Sequence, residues 1–73
     1  MAKKLTRGKQ GIKYQVKEIN GQKETNLFLN NIGVNVGDQI TIISKLASNY
    51  IVSIKDGRFG MDEGIAKLIV VDI

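Results

Sequence analysis

The sequence predicts a mainly β fold: a small barrel of about five strands with one short α-helix and one helical turn. Three observations favour it. Apolar and polar residues alternate in several short segments, glycine-containing turns separate these segments, and 73 residues suffice for one domain only. A barrel also removes the exposed strand edges that a small sheet must otherwise protect. We therefore expect residues 12–73 to form one barrel domain.

Residues 1–11 are predicted to be a flexible basic arm ahead of the barrel. The first thirteen residues contain five bases and no acid: Lys3, Lys4, Arg7, Lys9 and Lys13. The other sixty residues carry six bases and seven acids, a net charge of −1. The arm either keeps the protein in solution or holds it near an anionic membrane, where each base contributes about 1 kcal/mol.

The first strand begins at Ile12, where apolar and polar residues alternate with period two as far as Lys17. The alternation breaks at Glu18, which indicates a β-bulge or the end of the strand. Asn20 and Gly21 then form a turn signal.

A short helix follows, because Phe28, Leu29 and Ile32 share one helical face. Gly33 comes just after the last apolar residue, in the position where a helix commonly ends with positive φ. Gly37 lies in a second turn that admits the next strand. We expect the valines at 34 and 36 to turn inward, and Ile40 and Ile42 to lie on the buried face of that strand.

A hairpin is predicted around the dipeptide Asp56-Gly57, a preferred two-residue type I′ turn. This turn predicts three facing pairs, Lys55–Arg58, Ile54–Phe59 and Val52–Met61, and a shared apolar face for Val52, Ile54, Phe59 and Met61. After it, Asp62 is predicted to cap one helical turn that reaches Ala66. The β-branched run KLIVV, residues 67–71, is the last strand.

Three segments, in this order, resemble the ferrous iron transport protein A (FeoA) family over residues 12–73. They are LNNIGVNVGDQITII, YIVSIKDGRFGMDEG and AKLIVV; the matching positions are Leu29, Ile32, Gly33, Val34, Gly37, Ile40, Ala66, Ile69 and Val71. The sequence departs from the family at Leu27 and Phe28, where many members carry bases, and at Val36, where proline is frequent. The resemblance implies an SH3-like barrel that is a cytoplasmic accessory of ferrous iron transport. Its implied partner is the ferrous iron permease, a membrane protein with its own GTPase domain (FeoB-type), which it would bind and regulate.

The residue inventory argues against catalysis and cofactors. The sequence has no cysteine and no histidine, which excludes a disulfide scaffold and the usual zinc sites. The adjacent acids Asp62 and Glu63 are better explained by helix capping, since neighbouring helical residues do not face each other. We therefore expect no enzyme activity, no cofactor and no metal site, although transition-metal binding is a term associated with the family.

A cytoplasmic location is expected, because no apolar run reaches 18 residues and the basic start lacks the apolar region of a signal peptide. The partner contacts are assigned to residues without an evident core role: Leu27, Asn30, Asn31, Asn49, Tyr50 and Arg58.

The alternative function is nucleic-acid binding through the basic arm. It is weakened by the nearly neutral body and by the pattern that places Tyr14, Phe28 and Phe59 in the core. Weak self-association and a position close to a membrane remain open.

Overall fold

The computed structural model describes residues 1–55 and 57–73, so the predicted turn residue Asp56 lies outside the described residues. The strands in these residues are β1 (Lys3–Lys4), β2 (Lys13–Ile19), β3 (Gln39–Leu46), β4 (Asn49–Ile54), β5 (Gly57–Asp62) and β6 (Ile69–Asp72). These six strands form one antiparallel sheet in the order β1-β6-β2-β3-β4-β5. The helices are α1 (Lys23–Asn31), α2 (Glu63–Ala66) and a 3-10 helix (Leu5–Arg7). The mainly β prediction is therefore confirmed.

The edge strands β1 and β5 leave a gap that two short helices cover. Helix α2 contacts β4, β5 and the 3-10 helix, and the 3-10 helix contacts β6. Buried side chains from every strand except β1, from the three helices and from the loop after α1 meet in one apolar core: Leu5, Tyr14, Val16, Leu29, Val34, Ile40, Ile42, Tyr50, Val52, Ile54, Met61, Ala66, Ile69 and Val71. The helical turn predicted before the last strand is confirmed, since Asp62 Oδ1 accepts a hydrogen bond from the Ile65 amide at 2.9 Å.

The N-terminal segment, residues 3–11, is not a free arm, so that prediction was wrong. Lys3 and Lys4 pair with β6, and Leu5 is fully buried. The Lys9 amide donates to the Tyr14 hydroxyl at 2.9 Å. Burying one leucine contributes about 1.5–3 kcal/mol, and these hydrogen bonds add to the stabilisation of the segment. A count of bases does not reveal this, because a lysine can stay exposed while its backbone pairs with a strand.

The irregularity predicted at Glu18 is a β-bulge in β2. Pairing between β2 and β6 changes register between Val16 and Glu18. Tyr14 and Val16 are buried on one face, as the alternation indicates, whereas Ile12 lies just before the strand and is partly exposed.

The turn predictions around α1 are confirmed at both glycines. The helix ends at Asn31, Ile32 follows as its cap, and Gly33 has φ of 104°. Gly37 has φ of 97° in the second turn, where the Asp38 amide donates to the Asn35 carbonyl at 3.0 Å. Both values lie in the region that favours glycine.

The predicted inward turn of both valines holds for one of them only. Val34 is buried, but Val36 is exposed. Val36 lies in the turn that contains Gly37, where the alternation of a strand does not apply, so its side chain does not follow Val34 into the core.

The register of the β4–β5 hairpin differs from the predicted one. Ile54 pairs with Gly57, Val52 with Phe59, and Tyr50 with Met61. A shift of two residues leaves every side chain on its original face. The predicted apolar face of Val52, Ile54, Phe59 and Met61 is therefore correct although the pairs are not. The observed register places the buried Tyr50 opposite Met61, a core contact that the predicted pairs did not include.

Candidate protein-interaction surface

Helix α1 is attached to the barrel by a narrow stripe of residues. Leu29 is fully buried and Ile32 is half-buried against the core. At the start of the helix, Asn26 receives a hydrogen bond from the Gly21 amide at 3.0 Å and donates one to the Ile19 carbonyl at 3.3 Å. At its end, the Val34 amide donates to the Leu29 carbonyl at 2.8 Å. These contacts fix which side of the helix faces solvent.

The solvent side of α1 carries two large apolar side chains. Leu27 is 51% exposed and Phe28 is 56% exposed. The prediction that Phe28 belongs to the core was therefore wrong, because the stripe that meets the barrel runs through positions 25–26, 29 and 32, and Phe28 lies beside it. We name the exposed set Leu27, Phe28, Asn30 and Asn31 the helix surface.

Three of the six predicted contact residues meet on this surface. Leu27, Asn30 and Asn31 are spaced i, i+3 and i+4, so the helix brings them to one side. Phe28 is the member that the sequence reasoning missed. A signal for it was available: positions 27 and 28 are those where the resembling family often carries bases, and positions that accept bases are usually exposed.

The other three predicted contact residues lie elsewhere. Asn49 begins β4 and Arg58 is on β5; both are exposed, but the strand order places β3 between β4 and β2, the strand that precedes α1. Tyr50 is only 2% exposed, so its assignment as a contact residue was wrong. Lys45 covers the Tyr50 ring with its Nζ 5.3 Å from the ring centroid. Tyr50 instead fills the core opposite Met61.

Residues 1–55 and 57–73 contain no cluster of three or more acidic, histidine or cysteine side chains that would suit a metal ion. The carboxyl pKa of Asp72 is lowered, chiefly by the hydrogen bond that it accepts from the Ile73 amide at 2.8 Å. The Met1 amino group, 3.1 Å away, lowers it further. Within the same ranges, no helix has the length and apolar character needed to cross a bilayer.

Solved structures with the same fold include two FeoA proteins. The crystal structure of an iron uptake regulatory protein (FeoA) superposes with a TM-score of 0.88 at 25% sequence identity, covering 99% of this chain and 96% of that one. The NMR structure of a FeoA-like protein from Clostridium acetobutylicum superposes with a TM-score of 0.86 at 18% identity, covering 99% and 86% of the two chains.

A manganese-dependent transcriptional repressor shares the fold over part of its length. Its TM-score is 0.85 at 16% identity, and the match covers 96% of this chain but 40% of the repressor. This likeness concerns the fold alone. Among curated proteins, no sequence matches significantly.

A family model, the FeoA domain, matches residues 3–73. The match begins at β1 and so includes the N-terminal segment that packs on the barrel. The family model and the superposed structures thus indicate the same family over nearly the entire chain. The chain belongs to the FeoA domain family and is a small protein associated with iron transport.

Proposed function

We propose that the protein is a cytoplasmic, non-enzymatic accessory protein that binds and regulates the ferrous iron permease with a GTPase domain. The observation that carries this proposal is the exposure of Leu27 and Phe28 on α1, within a FeoA domain. Two adjacent apolar side chains of this size, more than half exposed, are suited to a protein contact.

The composition of the helix surface supports a protein partner. Interfaces combine an apolar centre, often containing phenylalanine, with a polar rim that forms hydrogen bonds. Leu27 and Phe28 supply the centre, and the amides of Asn30 and Asn31 supply donors and acceptors beside it. Further burial of the two apolar side chains would contribute at most about 1.5–3 kcal/mol each.

The test is retention of the permease from a membrane extract by the immobilised protein. The double variant Leu27→Ser/Phe28→Ser should retain much less permease than the parent protein. Leu46→Ser is the matched control, because Leu46 is 81% exposed at the end of β3, outside the helix surface. Circular dichroism should show all three proteins folded. Equal retention by the parent and the double variant would refute the assignment of the helix surface.

The nucleic-acid alternative predicts a different response to salt. Binding to single strands by about five bases would give a log–log slope of roughly −3.5, whereas an apolar contact responds weakly. Base stacking has little support, because Tyr14 and Tyr50 are buried and Phe59 is half-buried, which leaves Phe28 as the exposed aromatic side chain. Retention of oligonucleotides with a steep salt dependence, and no retention of a membrane partner, would favour the alternative.

A further inference from the structure

A row of polar and basic side chains crosses the outer face of the sheet. Lys13 pairs with Thr41, Thr41 with Ser53, and Ser53 with Arg58. Residues that face each other in this way have Cβ atoms about 4.5–5.5 Å apart. The two hydroxyl groups therefore lie side by side, with a base on each flank.

Three of these four residues line an open groove of about 410 Å³, and Arg58 lies outside it. Lys13, Thr41 and Ser53 contribute to its wall, together with Gln39, Lys55 and Asp38. Lys55 lies in the turn that follows β4. Among the described residues, no carboxylate lies within 4.0 Å of the Lys13 ammonium group.

We propose that this groove binds a phosphate group carried by a small molecule or a lipid. A phosphate offers several acceptor oxygens at once, and the groove supplies two ammonium groups, two hydroxyls and the Gln39 amide as donors. The volume falls in the range of small-molecule sites, so there is room for more than the phosphate group itself. This site is on the sheet and is independent of the helix surface.

Asp38 provides a test in which a substitution should strengthen binding and not weaken it. Among the described lining residues it is the one acid, and its carboxylate accepts a hydrogen bond from the Asn35 side-chain amide at 3.3 Å. A carboxylate here opposes a bound anion by charge repulsion. Removing the charge in Asp38→Asn should therefore strengthen binding, an effect that general loss of structure cannot produce.

The experiment is titration of isotopically labelled protein with inorganic pyrophosphate in metal-free buffer, followed by amide chemical shifts in NMR. We expect saturable shifts at positions 13, 39, 41 and 53–55. Lys13→Gln should weaken binding about tenfold, as expected for loss of a hydrogen bond to a charged group. Lys23→Gln, which removes the same charge from the exposed face of α1, should leave the affinity unchanged.

A second titration distinguishes the sources of the phosphate. Vesicles containing phosphatidic acid that bind with the same dependence on Lys13 and Asp38 would identify a lipid headgroup, whereas binding of pyrophosphate alone would identify a small phosphorylated compound. Equal weakening by Lys13→Gln and Lys23→Gln would overturn the proposal. An acidic peptide that binds more tightly than pyrophosphate, with the same response to these variants, would also overturn it.

Discussion

The N-terminal segment and helix α1 show opposite relations between composition and burial. The N-terminal segment has four bases and one large apolar residue, Leu5, yet that leucine is completely buried. Helix α1 has three consecutive apolar residues, of which only Leu29 is buried. The density of apolar residues therefore does not decide which segment packs. The N-terminal segment packs because it helps to close the gap between the two edge strands, whereas α1 covers the barrel with a single stripe.

The packing of the N-terminal segment is close at a second point. A Cβ added at Gly8 would lie 2.9 Å from Tyr14 Cε2 and 3.1 Å from the Leu5 carbonyl oxygen. Farther along, the Gly11 amide donates to the Ile42 carbonyl at 2.9 Å. Backbone contacts thus hold the segment, and the Lys3 side chain adds a cation–π contact, with its Nζ 5.2 Å from the centroid of the Tyr14 ring.

The largest expected effect is that of Leu5→Ala. Truncating a fully buried leucine costs about 2–5 kcal/mol, a large share of the 5–15 kcal/mol that stabilises a typical domain. Leu46→Ala is the control, since surface substitutions usually change stability by less than about 0.5 kcal/mol. Denaturant unfolding should therefore separate the two variants clearly. If both unfold like the parent protein, the N-terminal segment does not contribute to the barrel in solution.

A smaller loss is expected for Gly33→Val, which tests how α1 is held at its end. Gly33 is buried and has φ of 104°, a conformation that a β-branched residue adopts poorly. The substitution should lower the free energy of unfolding by more than about 1 kcal/mol. Gly60→Val is the matched control: Gly60 lies in β5 without positive φ, and an added Cβ would meet Ile51 Cδ1 at an ordinary 3.5 Å. Equal melting temperatures for the two variants would contradict this role of Gly33.

Local patterns predict the elements of this fold well, because each depends on neighbouring residues. The positive φ of Gly33, the capping by Asp62 and the alternating burial of Ile40 and Ile42 all follow from rules with a range of a few residues. The packing of Leu5 depends instead on β6 and α2, more than fifty residues away along the chain. No local pattern contains that information.

The hairpin register shows the same limit on a smaller scale. Alternation assigns a face to each residue but is unchanged by a shift of two positions, so Phe59 could be placed correctly and still be paired with the wrong partner. Ala47, between β3 and β4, has φ of 55°, which its residue type does not suggest. For the helix surface, sequence reasoning found Leu27, Asn30 and Asn31 but not Phe28, because helical periodicity does not show how wide the buried stripe is.

The smallest expected effect on stability is that of Phe28→Ala, and it gives the sharpest comparison within α1. Phe28 keeps more than half of its surface in water, so its removal forfeits little burial. Alanine also favours the helix by roughly 0.5 kcal/mol relative to phenylalanine, which offsets part of that loss. We expect the free energy of unfolding to stay within about 0.5 kcal/mol of the parent value.

Leu29→Ala, at the next position, should cost about 2–5 kcal/mol because Leu29 is fully buried. Phe28→Ala is expected to be the more stable of the two variants but the weaker in binding. At a temperature where both are folded, it should retain less permease than Leu29→Ala. A large loss of stability for Phe28→Ala would instead place its ring in the core and remove the basis of the helix surface.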